Sequence, residues 1–209
     1  MDILSIERLR DFYDRYPEVL KGKCLEWTGL FEDLDDMEYF VTLPESQPHW
    51  PRIMRAAAYQ GCLSLVMTLL FRGAGTPKTI AYEAARGGHL AIVQWVANQG
   101  TCCLRDIACT AATEGHLHII EWVLEGEQVS PDAIGEAAAY GGQLSLIQWA
   151  VAHGATNFNQ MAEQAAFRGY LSVVQWLVEK GADNIDALID AAGSGIQADV
   201  CDWLQRIRV

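Results

Sequence analysis

The sequence predicts an all-α fold, a solenoid of six stacked helix-turn-helix units behind a helical N-terminal cap. Three observations carry that expectation. The phrase GHLAIVQW at 88–95 returns as GHLHIIEW at 115–122, GQLSLIQW at 142–149 and GYLSVVQW at 169–176, each copy 27 residues after the last. Several columns keep that step independently: Ile53, Ile80, Ile107, Ile134, Met161 and Leu188 form one, Ala57, Ala84, Ala111, Ala138, Ala165 and Ala192 a second. Within each unit apolar and small residues recur with the helical period, and nothing alternates with the period of two that marks a strand. A helix pair of this size cannot bury its apolar face alone, so the units must stack.

Residues 1–50 do not keep the period. They hold an amphipathic segment (Ile6, Leu9, Phe12, Tyr13, Tyr16), the acidic run EDLDDMEYF and a proline-containing connection, LPESQPHWP. A solenoid needs a polar-faced cap, and this segment is expected to supply it. The array follows over 51–209, with units near 51–77, 78–104, 105–131, 132–158, 159–185 and 186–209. In the second unit Ile80, Ala81, Ala84 and Ala85 make one face of a first helix, with Pro77 in its first turn. Ser130-Pro131 offers a cap followed by proline in the same place of a later unit. Gly87-Gly88 ends the first helix, because glycine takes positive φ without strain.

The second helix is expected from near His89. Ile92, Val93, Val96 and Ala97, flanked by Leu90 and Trp95, cover roughly 220° of its surface. So wide an arc fits a helix wedged between its partner and the next unit. Gly100, Gly154 and Gly181 close such helices. The alanine columns let first helices approach to ~8–10 Å between axes. The column Trp95, Trp122, Trp149, Trp176 and Trp203 is expected to pack between successive second helices. The last unit is irregular around GSGIQADV and finishes with the charged DWLQRIRV.

Composition narrows the function. The chain has 209 residues, 51% hydrophobic and 20% charged, which is enough apolar material for a core. A formal net charge of −12 argues against nucleic acid and against an anionic membrane surface, both of which demand lysine and arginine. Asp2 and Glu7 sit where a signal peptide needs basic and then apolar residues. No run reaches the ~18 apolar residues of a membrane span. The cysteines (24, 62, 102, 103, 109 and 201) show no framework spacing. Reduced thiols in a cytoplasm are the expectation.

No catalytic, cofactor or metal site emerges from the motifs. His89 and His116 hold equivalent places in consecutive units, ~8–10 Å apart by helix packing, too far for one zinc ion. Each is expected to tie down the turn before its second helix by hydrogen bonding. Cys102-Cys103 lack metal-clip spacing, and Cys109 near His116 or His118 is the one nucleophile–base candidate, with no orienting third group. Glu32, Asp33, Asp35, Asp36 and Glu38 lack the glycine and ligand spacing of a calcium loop. There is no P-loop or dinucleotide fingerprint, and the GSG at 193–195 follows no strand.

The run Ala84-Ala85-Arg86-Gly87-Gly88-His89-Leu90-Ala91-Ile92-Val93 resembles the AAxxGHLxIV core of ankyrin repeats, and Glu179-Lys180-Gly181-Ala182-Asp183 resembles their helix-ending GAD. The resemblance covers about residues 51–204. It departs from the family in period, 27 instead of 33, in lacking the TPLH opening, and in placing tryptophan where the family has leucine. It therefore implies ankyrin-like units whose β-hairpin fingers are missing or cut to a short loop. Short repeats of this kind are similar to those of intracellular bacterial effectors and large DNA viruses. That likeness implies a protein acting on a host protein in the host cytoplasm.

Core columns hold such a fold, and outward columns are free to specify a partner. With Ile80, Ala81, Ala84 and Ala85 inward, Thr79, Tyr82 and Arg86 turn outward. The outward columns run Arg55, Tyr82, Cys109, Glu136, Glu163, Asp190 and Tyr59, Arg86, Thr113, Tyr140, Phe167. Their i, i+4 pairs, Arg55/Tyr59, Tyr82/Arg86, Glu136/Tyr140 and Glu163/Phe167, are the expected partner-binding ladder. Arg52, Arg55, Lys78, Arg86 and Arg105 lie early, and Asp132, Glu136, Glu163, Asp186 and Asp190 late. The expectation is a face that is basic in its first half and acidic in its second, binding another protein without chemistry. A specific inhibitor of an enzyme and, further off, an enzyme using Cys109 are the alternatives.

Overall fold

The computed structural model describes residues 50–100, 102–126 and 129–208. The expected N-terminal cap lies outside the described residues, save Trp50. Twelve helices and no strand occur among the described residues. They pair as α1 (Trp50–Tyr59) with α2 (Leu63–Phe71), α3 (Pro77–Gly87) with α4 (Leu90–Ala97), and α5 (Leu104–Glu114) with α6 (Leu117–Gly126). The series continues with α7 (Pro131–Tyr140) and α8 (Leu144–Ala152), α9 (Phe158–Arg168) and α10 (Leu171–Lys180), and α11 (Ile185–Ser194) and α12 (Ala198–Ile207). The links between units are four to six residues long, too short for a β-hairpin finger.

Each odd-numbered helix packs on its even-numbered partner and on the odd-numbered helices before and after it, whereas the even-numbered helices stand further apart. Residue size explains the asymmetry. Ala57, Ala84, Ala111, Ala138, Ala165 and Ala192 are fully buried in the odd row, where a small side chain permits close approach. The five tryptophans on even helices are half-buried and pack against the core, filling the wider spacing there. Ile53, Ile80, Ile107, Ile134, Met161 and Leu188 are fully or almost fully buried between the rows.

The odd helices end on a left-handed glycine column: Gly61, Gly88, Gly115, Gly142 and Gly169 all have φ between 74° and 91°. The sixth place in that column holds Ile196, with φ 60°. Thr76 caps α3 by accepting from the Thr79 N–H at 3.3 Å, with Pro77 next. Ser130 stands at the same place before α7 without a side-chain cap bond.

Side chains of the turns lock neighbouring units together. His89 Nε2–H donates to the Tyr59 carbonyl at 2.8 Å, His116 Nε2–H to that of Arg86 at 2.9 Å, and Gln143 Nε2 to that of Thr113 at 3.2 Å. The histidines therefore do tie down turns, but by reaching back into the preceding unit. Gly87, Gly141 and Gly195 complete the lock: a Cβ on them would sit 2.0, 1.8 and 1.9 Å from the carbonyl oxygens of Tyr59, Thr113 and Phe167.

Candidate partner-binding face

The locked carbonyls belong to the column that turns outward from the odd helices. Tyr59, Tyr140 and Phe167 of that column are 42%, 39% and 41% exposed, so three of the large apolar side chains left in solvent share one face. Arg55 and Arg86 are also exposed, while Tyr82, Glu136 and Glu163 are half-buried. The sequence-expected residues thus fall on one side of the array, though they make different partnerships from those expected.

In the first half most contacts run between units. Glu83, in a column that otherwise reads Ala56, Thr110, Ala137, Gln164 and Ala191, is the one charged residue buried among the described residues. Its Oε1 accepts from Arg55 Nε at 2.7 Å and its Oε2 from Arg86 Nη1 at 3.1 Å. Arg86 Nε reaches Glu114 Oε1 at 3.4 Å, and the guanidinium carbon lies 5.8 Å from the centre of the Tyr59 ring. Burial works against the Arg86 charge, but Glu83 and Glu114 more than offset it and hold its pKa above the usual value. Tyr82 Oη donates to Asp106 Oδ2 at 2.8 Å, with Lys78 Nζ 5.7 Å from its ring centre. Burial first, and then the Asp106 carboxylate, push the Tyr82 pKa up to about 12.

The contacts of Arg55, Tyr82 and Arg86 do not run within the i, i+4 pairs: Glu83, one unit on from Arg55 and one turn before Arg86 on the same helix, draws both guanidiniums, and Asp106 draws the Tyr82 phenol. Nor are Arg55 and Arg86 free charges: Glu83 and Glu114 answer them at close range.

The second half is different. Glu136 Oε1 accepts from Asn157 Nδ2 and Glu163 Oε1 from Asn184 Nδ2, the asparagines standing at the N-caps of α9 and α11. The buried Oδ1 of each asparagine has no hydrogen-bond partner, so the amide is held by its donor bond to the glutamate. Asp132 Oδ1 is committed to the N–H groups of Thr156 at 2.7 Å and Asn157 at 3.1 Å. Glu136, Glu163 and Asp190 have no cationic partner among the described residues. Arg168 lies over the Tyr140 ring, 4.6 Å from its centre.

Where the halves meet, Arg105, Cys109, Thr113, Glu136, Tyr140 and Gln164 line a shallow depression of about 340 Å³ between α5, α7 and α9. Burial raises the pKa of the Cys109 thiol foremost; Arg105 lowers it, and Asp106 and Glu136 raise it further. That direction is opposite to the one that activates a nucleophilic cysteine. Nor is a base turned to it: His116 and His118 spend Nε2 on the carbonyls of Arg86 and Gly88, each at 2.9 Å. Sequence reasoning missed Glu83, Asn157, Gln164, Asn184 and Arg168. Glu83 could have been found as the one charged residue in a column that otherwise holds alanine, threonine and glutamine, and Arg168 as the cation beside Phe167.

No protein-family model and no curated protein matches the chain. The regular helix pairs themselves place it: this is an all-α helical-repeat protein. Among the described residues no helix is long and apolar enough to cross a membrane.

Proposed function

We propose that this chain is a hairpin-poor, ankyrin-like repeat protein that binds a segment of another protein on the outward face of its odd helices and performs no chemistry itself. The single observation that carries the reading is the alignment of exposed Tyr140 and Phe167 beside the depression at the middle of the array. Solvent alone favours lysine, glutamate or serine there, whereas tyrosine with arginine is the usual make-up of interface anchors. The short links and the AAxxGHLxIV-like cores support the ankyrin-like assignment. The likeness to effector and viral repeats favours a host protein as the partner and host cytoplasm as the place.

The test is affinity capture from host-cell lysate with the parent chain and with Tyr140→Ala/Phe167→Ala, circular dichroism confirming equal helix content. A protein retained by the parent and released by the variant supports the reading. A partner held equally by both moves the interface elsewhere and refutes it.

A further inference from the structure

We infer that the segment this face receives is basic and extended, carrying lysine or arginine at every third residue and lying along α7, α9 and α11. The inference rests on the interaction-module reading above and names the class of partner for that same face.

Its first support is charge complementarity beside an apolar column. Glu136 and Glu163 each stand one helical turn before an exposed aromatic, Tyr140 and Phe167, and Asp190 continues their column on α11. The three carboxylates have no cation among the described residues. Each glutamate has one oxygen fixed by an asparagine amide and the other without a partner, so it is aimed in advance and still able to accept. An incoming ammonium or guanidinium would gain a charge-assisted bond there, and its apolar stem would lie on the Phe167 ring or at the edge of Tyr140, whose face carries Arg168. The first half cannot do the same for an acidic segment, since Arg55 and Arg86 are already spent on Glu83 and Glu114.

Its second support is spacing. Packed helices put successive carboxylates ~8–10 Å apart. A polyproline-type backbone advances ~3.1 Å per residue with three residues per turn, so every third side chain returns to one edge after ~9 Å. A strand, at ~3.3 Å per residue and alternating faces, returns after ~7 Å or ~13 Å and misses the register. A partner helix would match with every seventh residue, at ~10.5 Å. Its ~10–12 Å girth, however, would hold its axis well away from a depression this shallow.

The experiment is fluorescence anisotropy at ~0.15 M salt with synthetic peptides of one composition, proline and leucine separating lysines placed at every third position or bunched together. A helix-forming peptide with lysine at every seventh position is run beside them. The expected result is about tenfold tighter binding of the every-third isomer, lost in Glu136→Gln/Glu163→Gln/Asp190→Asn. The two glutamines keep the acceptor oxygen for the cap asparagines while removing the charge, Asp190→Asn removes its charge at constant shape, and circular dichroism checks that the variant is folded. Equal binding of the two isomers, tightest binding of the helical peptide, or unchanged binding by the triple variant overturns the inference. A captured partner that still needs Tyr140 and Phe167, while no basic peptide binds, sinks the inference and leaves the interaction reading standing. A partner indifferent to both aromatics sinks the reading itself.

Discussion

The two halves of the outward face share one backbone and use it differently. In the first, Arg55, Arg86 and Tyr82 are matched across units by Glu83, Glu114 and Asp106. In the second, Glu136 and Glu163 are positioned by asparagine amides and have no cation, while Tyr140 and Phe167 stay exposed. The lesson is that a charge visible in a sequence is available to a partner only if the neighbouring unit leaves it unanswered. In a repeat array the neighbour is always one period away, so the columns should be read in adjacent pairs.

The comparison can be broken first at the backbone. Gly87→Ala in one half and Gly141→Ala in the other each drive a Cβ into a carbonyl oxygen of the preceding unit, at 2.0 and 1.8 Å. Each is expected to cost about 2–3 kcal/mol by overpacking, read as the shift of the urea midpoint. A large cost in one half alone would mean that the scaffold is not shared. Next in size is Ile196→Gly, which restores the column's left-handed glycine in place of a β-branched residue at φ 60°. It should stabilise the protein by about 1 kcal/mol, seen as a raised melting temperature. Isosteric loss of charge then sharpens the contrast itself. Glu83→Gln should cost about 0.5–1 kcal/mol, since two partly exposed ion pairs disappear. Glu136→Gln breaks no ion pair and should leave the melting temperature unchanged.

The smallest effect is on pH dependence. The Tyr82 pKa is pushed up to about 12 in the folded chain, above the ordinary tyrosine value of about 10. Between those values the unfolded chain releases a proton that the folded chain retains, so stability present below the lower value is lost as pH rises toward the higher one. Phenolate absorbance should show one tyrosine titrating late, and Tyr82→Phe should abolish that late step. A spectrum unchanged by Tyr82→Phe would place the late tyrosine elsewhere.

Much of this architecture was legible in the sequence. The column Ile53 to Leu188 and the alanine column became the buried row because period and side-chain size are local, additive signals. The exposed column was legible for the same geometric reason, with Tyr59, Tyr140 and Phe167 where helical phase put them. The partnerships were not. That Glu83 lies between Arg55 and Arg86, or that Asn157 reaches Glu136, depends on the offset between stacked helices, which a single unit does not encode. Ile196 was readable as a break in the glycine column, yet only its backbone angle shows that the turn keeps the glycine conformation. The amphipathic segment and acidic run before Trp50 lie outside the described residues.

The central claim is that the second half of the face is open to a partner and the first half is occupied with itself. The most direct measurement is the affinity of the captured partner for two folded double variants, Tyr59→Ala/Arg86→Ala and Tyr140→Ala/Phe167→Ala. The account predicts that the second variant weakens binding by about thirtyfold or more, the ~2 kcal/mol loss of a hot spot, and that the first stays within about threefold of the parent. A loss confined to the first variant would contradict it.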